Sequence, residues 1–431
     1  MLGGGTFTSQ NKVLPGSYIN VVSIGGETST LGERGVVAVT MPLAWGNPGE
    51  VITVTADEFY NNSTAIFGYH YSAKEMLNVR ELFKKAKKVH IYNSADGETS
   101  KAATCDYCTA KKAGERGNAL KVVIQTNIDD ENLFDVCLYL DTTLVFDQTV
   151  ANSSELKDND YVTWNTERPL DITAATPLTG GVTGSTTETS YQNALDTFES
   201  YRFNLLTIPG SNAETLIAYT KRMREELGVK FQSLVVGKDL TPDYEGVVRL
   251  LDTQSAAIYW VAGALAGCAE NASCTNMSYD GELTVEEIPT RYTIAQLKDY
   301  IKKGVFMFHD VEGEIRVLVD INSLVTYTDE KNEWFASNQV VRVADGCAMD
   351  AARIFNNKYL GKIQNDNAGR VSFWNDIVTN RRERETIRAI DTYDTAALVV
   401  SPGEKRNSVV VDEVIVPISA MEKLYMTIVI K

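Results

Sequence analysis

Histidine is scarce in this chain: His70, His90 and His309 are three in 431 residues, and none has another His or Cys within four positions. That excludes an HExxH metal helix and leaves each imidazole as a surface or structural group. The chain also lacks GxxxxGK[ST], GxGxxG and GxSxG, so it has no phosphate loop, dinucleotide fingerprint or nucleophile elbow. Positive charge is short as well, 41 Lys plus Arg against 57 Asp plus Glu for a net −16. Such a field repels phosphates and anionic membranes, which argues against nucleic-acid binding as the main task. The longest uncharged apolar stretch, Ala256 to Ala269, is 14 residues, short of the ~20 that span a bilayer. It reads as a buried helix in which Gly263 and Gly267, on one face, let a neighbouring backbone approach. No basic stretch followed by an apolar core opens the chain, so the expectation is a protein made and kept in the cytoplasm.

What is present is the composition of a folded chain, 44% apolar and 23% charged, long enough for about three domains. Cys105 and Cys108 form a lone CxxC, Cys268 and Cys274 are six apart, and Cys137 and Cys347 stand alone. A zinc site wants two close pairs, and a redox CxxC wants a helix start after a strand. The setting KAATCDYCTA instead suits a strand, with both thiols as small strand side chains, so no metal and no cofactor is expected. Asp129-Asp130-Glu131 and Glu286-Glu287 lack the alternating spacing of a calcium loop and read as solvated turns.

Along the chain, residues 1–25 read as an N-terminal arm, with the turn Pro15-Gly16 and the β-branched run Tyr18 to Ile24. Residues 26–94 open the core with strands at Gly35 to Met41 and Val51 to Thr55 and a helix over Glu75 to Lys88. Residues 95–185 hold closely spaced strands (Leu120 to Thr126, Leu133 to Leu140, Thr143 to Thr149, Tyr161 to Asn165), the mark of an inserted antiparallel β-sandwich. Thr173 to Ser190 reads as the linker closing it. Residues 186–327 alternate strand and helix. Phe203 to Ile208 is a strand, Ser211 with Glu214 a capping box, Val229 to Val236 a strand and Val247 to Leu251 another. A helix opened by Thr293 with Gln296, and strands Val305 to Phe308 and Ile315 to Val319, extend a mostly parallel sheet. Residues 328–418 are helical, with Ala348, Ala351, Ala352 and Phe355 on one side of Val341 to Tyr359, before a strand at Ser408 to Ile418. Arg381, Arg382, Arg384 and Arg388, mixed with Glu383 and Glu385, read as a docking patch or an exposed helix face. Residues 419–431 form a C-terminal strand arm, apolar on both faces.

An acidic chain without a catalytic signature and with strand-forming ends has the profile of an assembly subunit. Its residues resemble the tail sheath proteins of contractile-tailed phages and phage-tail-like bacteriocins of the Gram-positive branch. The likeness rests on Pro15-Gly16-Ser17-Tyr18-Ile19-Asn20, Gly35 to Pro42 with Trp45-Gly46, Tyr259 to Gly267, Asp320-Ile321-Asn322-Ser323-Leu324, Tyr359-Leu360-Gly361-Lys362 and Met421 to Met426. The resemblance implies an α+β multidomain chain: a subtilisin-like α/β domain with an inserted β-sandwich, a helical/β C-terminal domain and extended terminal β arms. It implies stacked hexameric rings of this same chain around a tail tube protein, bounded by baseplate and tail terminator proteins, in a virion tail or bacteriocin particle assembled in the host cytoplasm. It implies no enzyme, no nucleic acid and no membrane insertion. The subunit-linking arms are expected at Tyr18, Ile19, Val21 and Val22 and at Leu424, Tyr425, Met426, Ile428 and Ile430. A tube-facing cationic run is expected at Arg353, Lys358, Lys362 and Arg370. A hydrolase carried by the α/β domain and a receptor-binding or capsid module are the rival readings.

Overall fold

The computed structural model describes residues 31–97, 99–251, 253 and 255–430; the N-terminal arm residues Tyr18, Ile19, Val21 and Val22 lie outside them. Strand Val36–Met41 (β1) is buried along its whole length, as a central strand covered on both faces must be. Val51–Thr55 (β2) follows, then helices Ala56–Phe67 (α1) and Leu77–Phe83 (α2), and strand Lys88–Asn93 (β3). Next come short strands Ala102–Thr104 (β4), Cys108–Ala113 (β5), Leu120–Thr126 (β6), Phe134–Leu140 (β7), Thr143–Val150 (β8), Val162–Trp164 (β9) and Thr173–Pro177 (β10). Strand and helix then alternate through Glu188–Phe198 (α3), Leu205–Thr207 (β11), Ala213–Glu225 (α4), Gln232–Val236 (β12), Val247–Leu250 (β13), Ser255–Gly267 (α5), Ile294–Lys302 (α6) and Val305–Phe306 (β14). A hairpin Phe308–Val311 (β15) with Glu314–Val317 (β16), helices Asn338–Ile354 (α7) and Asn367–Thr386 (α8), and strands Val399–Pro402 (β17) and Val409–Asp412 (β18) complete the order.

Among the described residues the largest sheet has seven strands in the order β14-β13-β12-β11-β1-β3-β2. Neighbours are parallel except β2, which runs antiparallel to β3 at the edge. Alternate residues of β1 serve opposite faces. Val37 and Val39 join the core under α2 and α5, whereas Ala38 joins the core under α3 and α4. Helix α5 is apolar all round and buried, so its packing surface must be smooth. A Cβ on Gly263 would lie 2.5 Å from the Leu82 carbonyl oxygen, and one on Gly267 would lie 2.2 Å from that of Lys85. The two glycines admit the backbone of α2 and of the turn that follows it, as their spacing implies.

The strands between β3 and α3 build two antiparallel sheets, β10-β6-β7-β8 and β4-β5-β9, around their own core of Trp45, Leu120, Val122, Leu138, Val162 and Trp164. Helices α7 and α8 enclose another core with Val343, Cys347, Phe373, Ile377 and Leu398.

Several local expectations need correction. The helix expected over Glu75 to Lys88 stops at Phe83, and Lys88 opens β3 because Lys87 and Lys88 must bond to the Gly35 carbonyl at the sheet. Thr173 to Ser190 is not simply a linker: its Thr-rich start is the bulged edge strand β10, and Thr187 with Ser190 forms the capping box of α3. Asn212, not Ser211, caps α4, its side chain accepting from the Glu214 amide while Ser211 Oγ donates to the Ile208 carbonyl. Strand β16 does not extend the parallel sheet; it folds back on β15. On α7 the buried side is Val340, Val343, Cys347 and Ile354, and Ala348 and Ala352 face out. The strand at Ser408 to Ile418 is shorter, β18 only, and the run Leu424 to Ile430 forms no strand among the described residues.

Candidate assembly surfaces

The basic cluster on α8 is the largest departure from the sequence reading. Phe373 and Ile377 face the core, and Arg381 and Arg384 continue the same stripe, so both guanidinium groups are buried where an exposed patch was expected. Arg384 donates from Nε to Glu270 Oε2 at 2.8 Å and from Nη2 to Asp350 Oδ2 at 2.9 Å. Arg381 holds Glu413 through Nε and Nη2 at 2.6 and 2.9 Å. Burial opposes the Arg384 charge, but Cys347, Glu270 and Asp350 more than reverse that and push its pKa up. Arg382 and Arg388 remain exposed.

Glu270 follows α5, so the Arg384 pair ties the C-terminal helices to the seven-stranded core. Three further contacts cross the same boundary. Arg224 on α4 holds Asp345 on α7 at 2.6 Å, Arg342 meets Asp320 at 3.2 Å, and Gln232 Nε2 donates to Asn338 Oδ1 at 2.8 Å. Arg34 joins the same crevice and donates to the carbonyl oxygens of Ala266 and Cys268 at the end of α5. Its pKa falls to about 10 through burial and the nearby Arg342.

Cys268, Cys274 and Asp320 place three ligand atoms within 4.8 Å of one another. The Asp320 carboxylate already accepts from Arg342, Asn338 and the Cys274 amide. A metal cation there would displace a buried guanidinium from its partner, so the cluster is a packing element. The CxxC pair is not inside a strand as expected: Cys105 lies in the turn between β4 and β5, and Cys108 begins β5. His90 Nδ1 pairs with Thr53 Oγ1 at 2.8 Å inside the sheet, and burial lowers its pKa. His70 pairs with Ser72 within one exposed loop.

The C-terminal run has the opposite character. Ala420 N donates to Gln339 Oε1 at 2.9 Å and Thr275 Oγ1 donates to Glu422 Oε1 at 2.6 Å. Beyond that anchor Leu424 (84% exposed), Tyr425 (89%), Met426, Ile428 and Ile430 (91%) stand in solvent, paired with no strand among the described residues. The β17-β18 hairpin pairs with no other strand among the described residues and exposes Val399, Val410 and Val411, and Val414 and Val416 beyond it are exposed too. Two strands alone are a marginal sheet, and apolar edges invite pairing.

The four cations expected to face a tube lie around the α7-α8 connection, and each has a partner. Arg353 meets Asp350 at 3.0 Å, Lys358 meets Asp376 at 3.1 Å, Lys362 donates to the Asn357 carbonyl at 2.6 Å, and Arg370 donates to Asn365. Leu360, Ile363 and Val371 are at least half exposed beside them.

Comparison with known proteins decides what these surfaces belong to. Family profiles match in four consecutive stretches: the tail sheath protein Gp18 domain III N-terminal region at 34–93, the phage tail sheath protein beta-sandwich domain at 96–183, its central domain at 184–323 and its C-terminal domain at 330–431. The crystal structure of the sheath tail protein of Desulfitobacterium hafniense is 32% identical, with a TM-score of 0.78 over 95% of this chain and 99% of that one. The chain belongs to the contractile phage tail sheath family. The sheath tail protein of Listeria innocua is similar at 28% identity, with a TM-score of 0.79 over 92% of this chain and 94% of that one. Phage-like element PBSX protein XkdK of Bacillus subtilis is 29% identical over 99% of both chains. This sheath protein is therefore a structural subunit and a component of a phage-type tail, built as a mixed α/β multidomain chain. Among its described residues no helix is long and apolar enough to cross a membrane.

Proposed function

We propose that this sheath subunit polymerises as stacked hexameric rings around a tail tube, ending on baseplate and terminator proteins, and contracts to drive the tube through a cell envelope. The α/β core then carries the subtilisin-like topology implied by the resemblance, with the β-sandwich of residues 95–185 inserted in it and displayed outward. The observation that carries the reading is the run Leu424 to Ile430, apolar on both faces and exposed while its anchor at Ala420 and Glu422 is fixed. A neighbour's β17-β18 hairpin offers it a backbone edge and exposed valines. An added strand gains main-chain hydrogen bonds, and the alternating side chains set its register. A matching arm at Tyr18, Ile19, Val21 and Val22, proposed from the sequence alone, gives each subunit a second link.

Linked this way, subunits rotate without dissociating, because each strand is held at high local concentration by the others. No nucleotide is needed if the extended sheath is a kinetic trap above a lower-energy packing. Deleting residues 420–431 is expected to leave a folded, soluble monomer that forms no tubes. Sedimentation velocity and negative-stain imaging check this, and long regular sheaths from the truncated chain would refute the arm reading.

Tube contact we place at Arg353, Lys358, Lys362 and Arg370, where cations rim the exposed Leu360 and Ile363 of an otherwise acidic chain. Exposed ion pairs contribute only about 0–1 kcal/mol each, weak enough for a grip that must release. Lys358→Glu with Lys362→Glu is expected to abolish assembly on purified tubes while tube-free polymerisation persists. Unchanged decoration of tubes would remove the assignment.

A further inference from the structure

The two thiols of the CxxC pair sit in unequal environments only 3.7 Å apart. The turn holding them is fixed: Cys105 N donates to the Cys108 carbonyl at 2.9 Å, and Asn165 N donates to the Tyr107 carbonyl at 2.8 Å. Cys108 is buried at 2% exposure, whereas Cys105 is half-buried and reachable from solvent. We propose that Cys105 and Cys108 are a redox-active dithiol that closes into an intramolecular disulfide by exchange with a small-molecule disulfide such as oxidised glutathione.

The chemistry follows from the two positions. The Cys105 thiolate attacks one sulfur of the incoming disulfide, forming a protein–glutathione bond and expelling one glutathione thiolate. Cys108 then loses its proton to water and attacks the Cys105 sulfur, expelling the second. Two protein thiols are oxidised and one small disulfide is reduced to two thiols, so no other oxidant enters. The attacking group must be the accessible, acidic one and the resolving group its neighbour. Cys105 fits the first role, because the Cys108 S–H and the backbone N–H groups of Tyr107 and Cys108 outweigh burial and lower its pKa to about 6. Asp106 works against this but lies 3.5 Å from the Arg168 guanidinium, which partly offsets its charge. Cys108 fits the second, its thiol pushed up by the neighbouring Cys105 and by burial. Cys268 and Cys274 form a second close pair in which the Cys274 S–H lowers the Cys268 thiol, but both are buried, as is Cys347, and so closed to an incoming disulfide; burial raises the Cys137 thiol. A tetrahedral metal would want ligands beyond this pair, and among the described residues no third Cys, His or carboxylate gathers with it.

The test uses the reduced full-length protein equilibrated anaerobically with glutathione buffers of increasing oxidised fraction, then acid-quenched, alkylated, digested and weighed. The expected result is a peptide spanning 102–111 that lacks two hydrogens and resists alkylation while Cys137 is still alkylated. Cys108→Ser is expected to trap one glutathione on Cys105, and Cys105→Ser to remove both products. Alkylation of Cys105 should reach half its maximal rate near pH 6. Full alkylation of both thiols in the most oxidising buffer, a glutathione adduct on Cys137 in place of Cys105, or bound zinc that disappears in Cys105→Ser would each overturn the proposal.

Discussion

Arg384→Ala is expected to remove about 3–5 kcal/mol of stability, because it strands Glu270 in the interior without its paired cation and leaves Asp350 only the half-exposed Arg353. Both carboxylates are buried, at 6 and 3% exposure, and both take a bond from this one guanidinium. Arg384→Lys should recover only part of the loss, since an ammonium cannot reproduce the forked contact. Arg382→Ala, two residues away on the exposed side of α8, should stay within about 0.5 kcal/mol of wild type. Urea unfolding followed by circular dichroism separates the three. Equal small losses in all of them would mean that the buried pair does not hold the C-terminal helices to the core.

Gly267→Val is expected to be worse, yielding insoluble chain or a loss beyond the ~1–3 kcal/mol typical of overpacking. The added Cβ alone would sit 2.2 Å from the Lys85 carbonyl oxygen. That atom belongs to the backbone two residues past α2, so no rotamer change relieves the clash and α2 with the turn that follows it must lift off α5. The layer lost is the one that covers Val37 and Val39 of the central strand. Ala348→Val, on the exposed side of α7, should be tolerated. A soluble Gly267→Val protein melting with wild type would show that α2 and α5 do not need this approach.

Much of the core was legible in the sequence because its signals are local. Leu120 to Thr126 alternates cleanly and forms β6 as read, and Thr293 with Gln296 caps α6 as its spacing implies. The spacing of Gly263 and Gly267 was sufficient to foretell a close backbone. Misreadings arose where a tertiary contact outweighs the local pattern. Arg381 and Arg384 carry the charge of a surface, yet they fall four and seven residues after Ile377 on one helical stripe. That spacing was the signal for burial, and the acids that pair with them, Glu413 for Arg381 and Glu270 and Asp350 for Arg384, all lie outside this helix. The β10 strand was hidden because Thr reads equally as loop and as edge strand. The CxxC turn was hidden because no local pattern shows which of the two sulfurs faces solvent. For the proposed arm the sequence spoke through composition: Leu424 to Ile430 is apolar but for Thr427, and the fold leaves its large apolar side chains exposed.

The central claim, that subunits are joined by exchanged strands, is tested most directly by a helical reconstruction of the assembled protein from electron micrographs. The account predicts residues 424–430 as a strand hydrogen-bonded in the β17-β18 sheet of an adjacent subunit, in register with its exposed valines. A sheath in which that segment folds onto its own chain, or stays in solvent while subunits meet only through their globular faces, would contradict it.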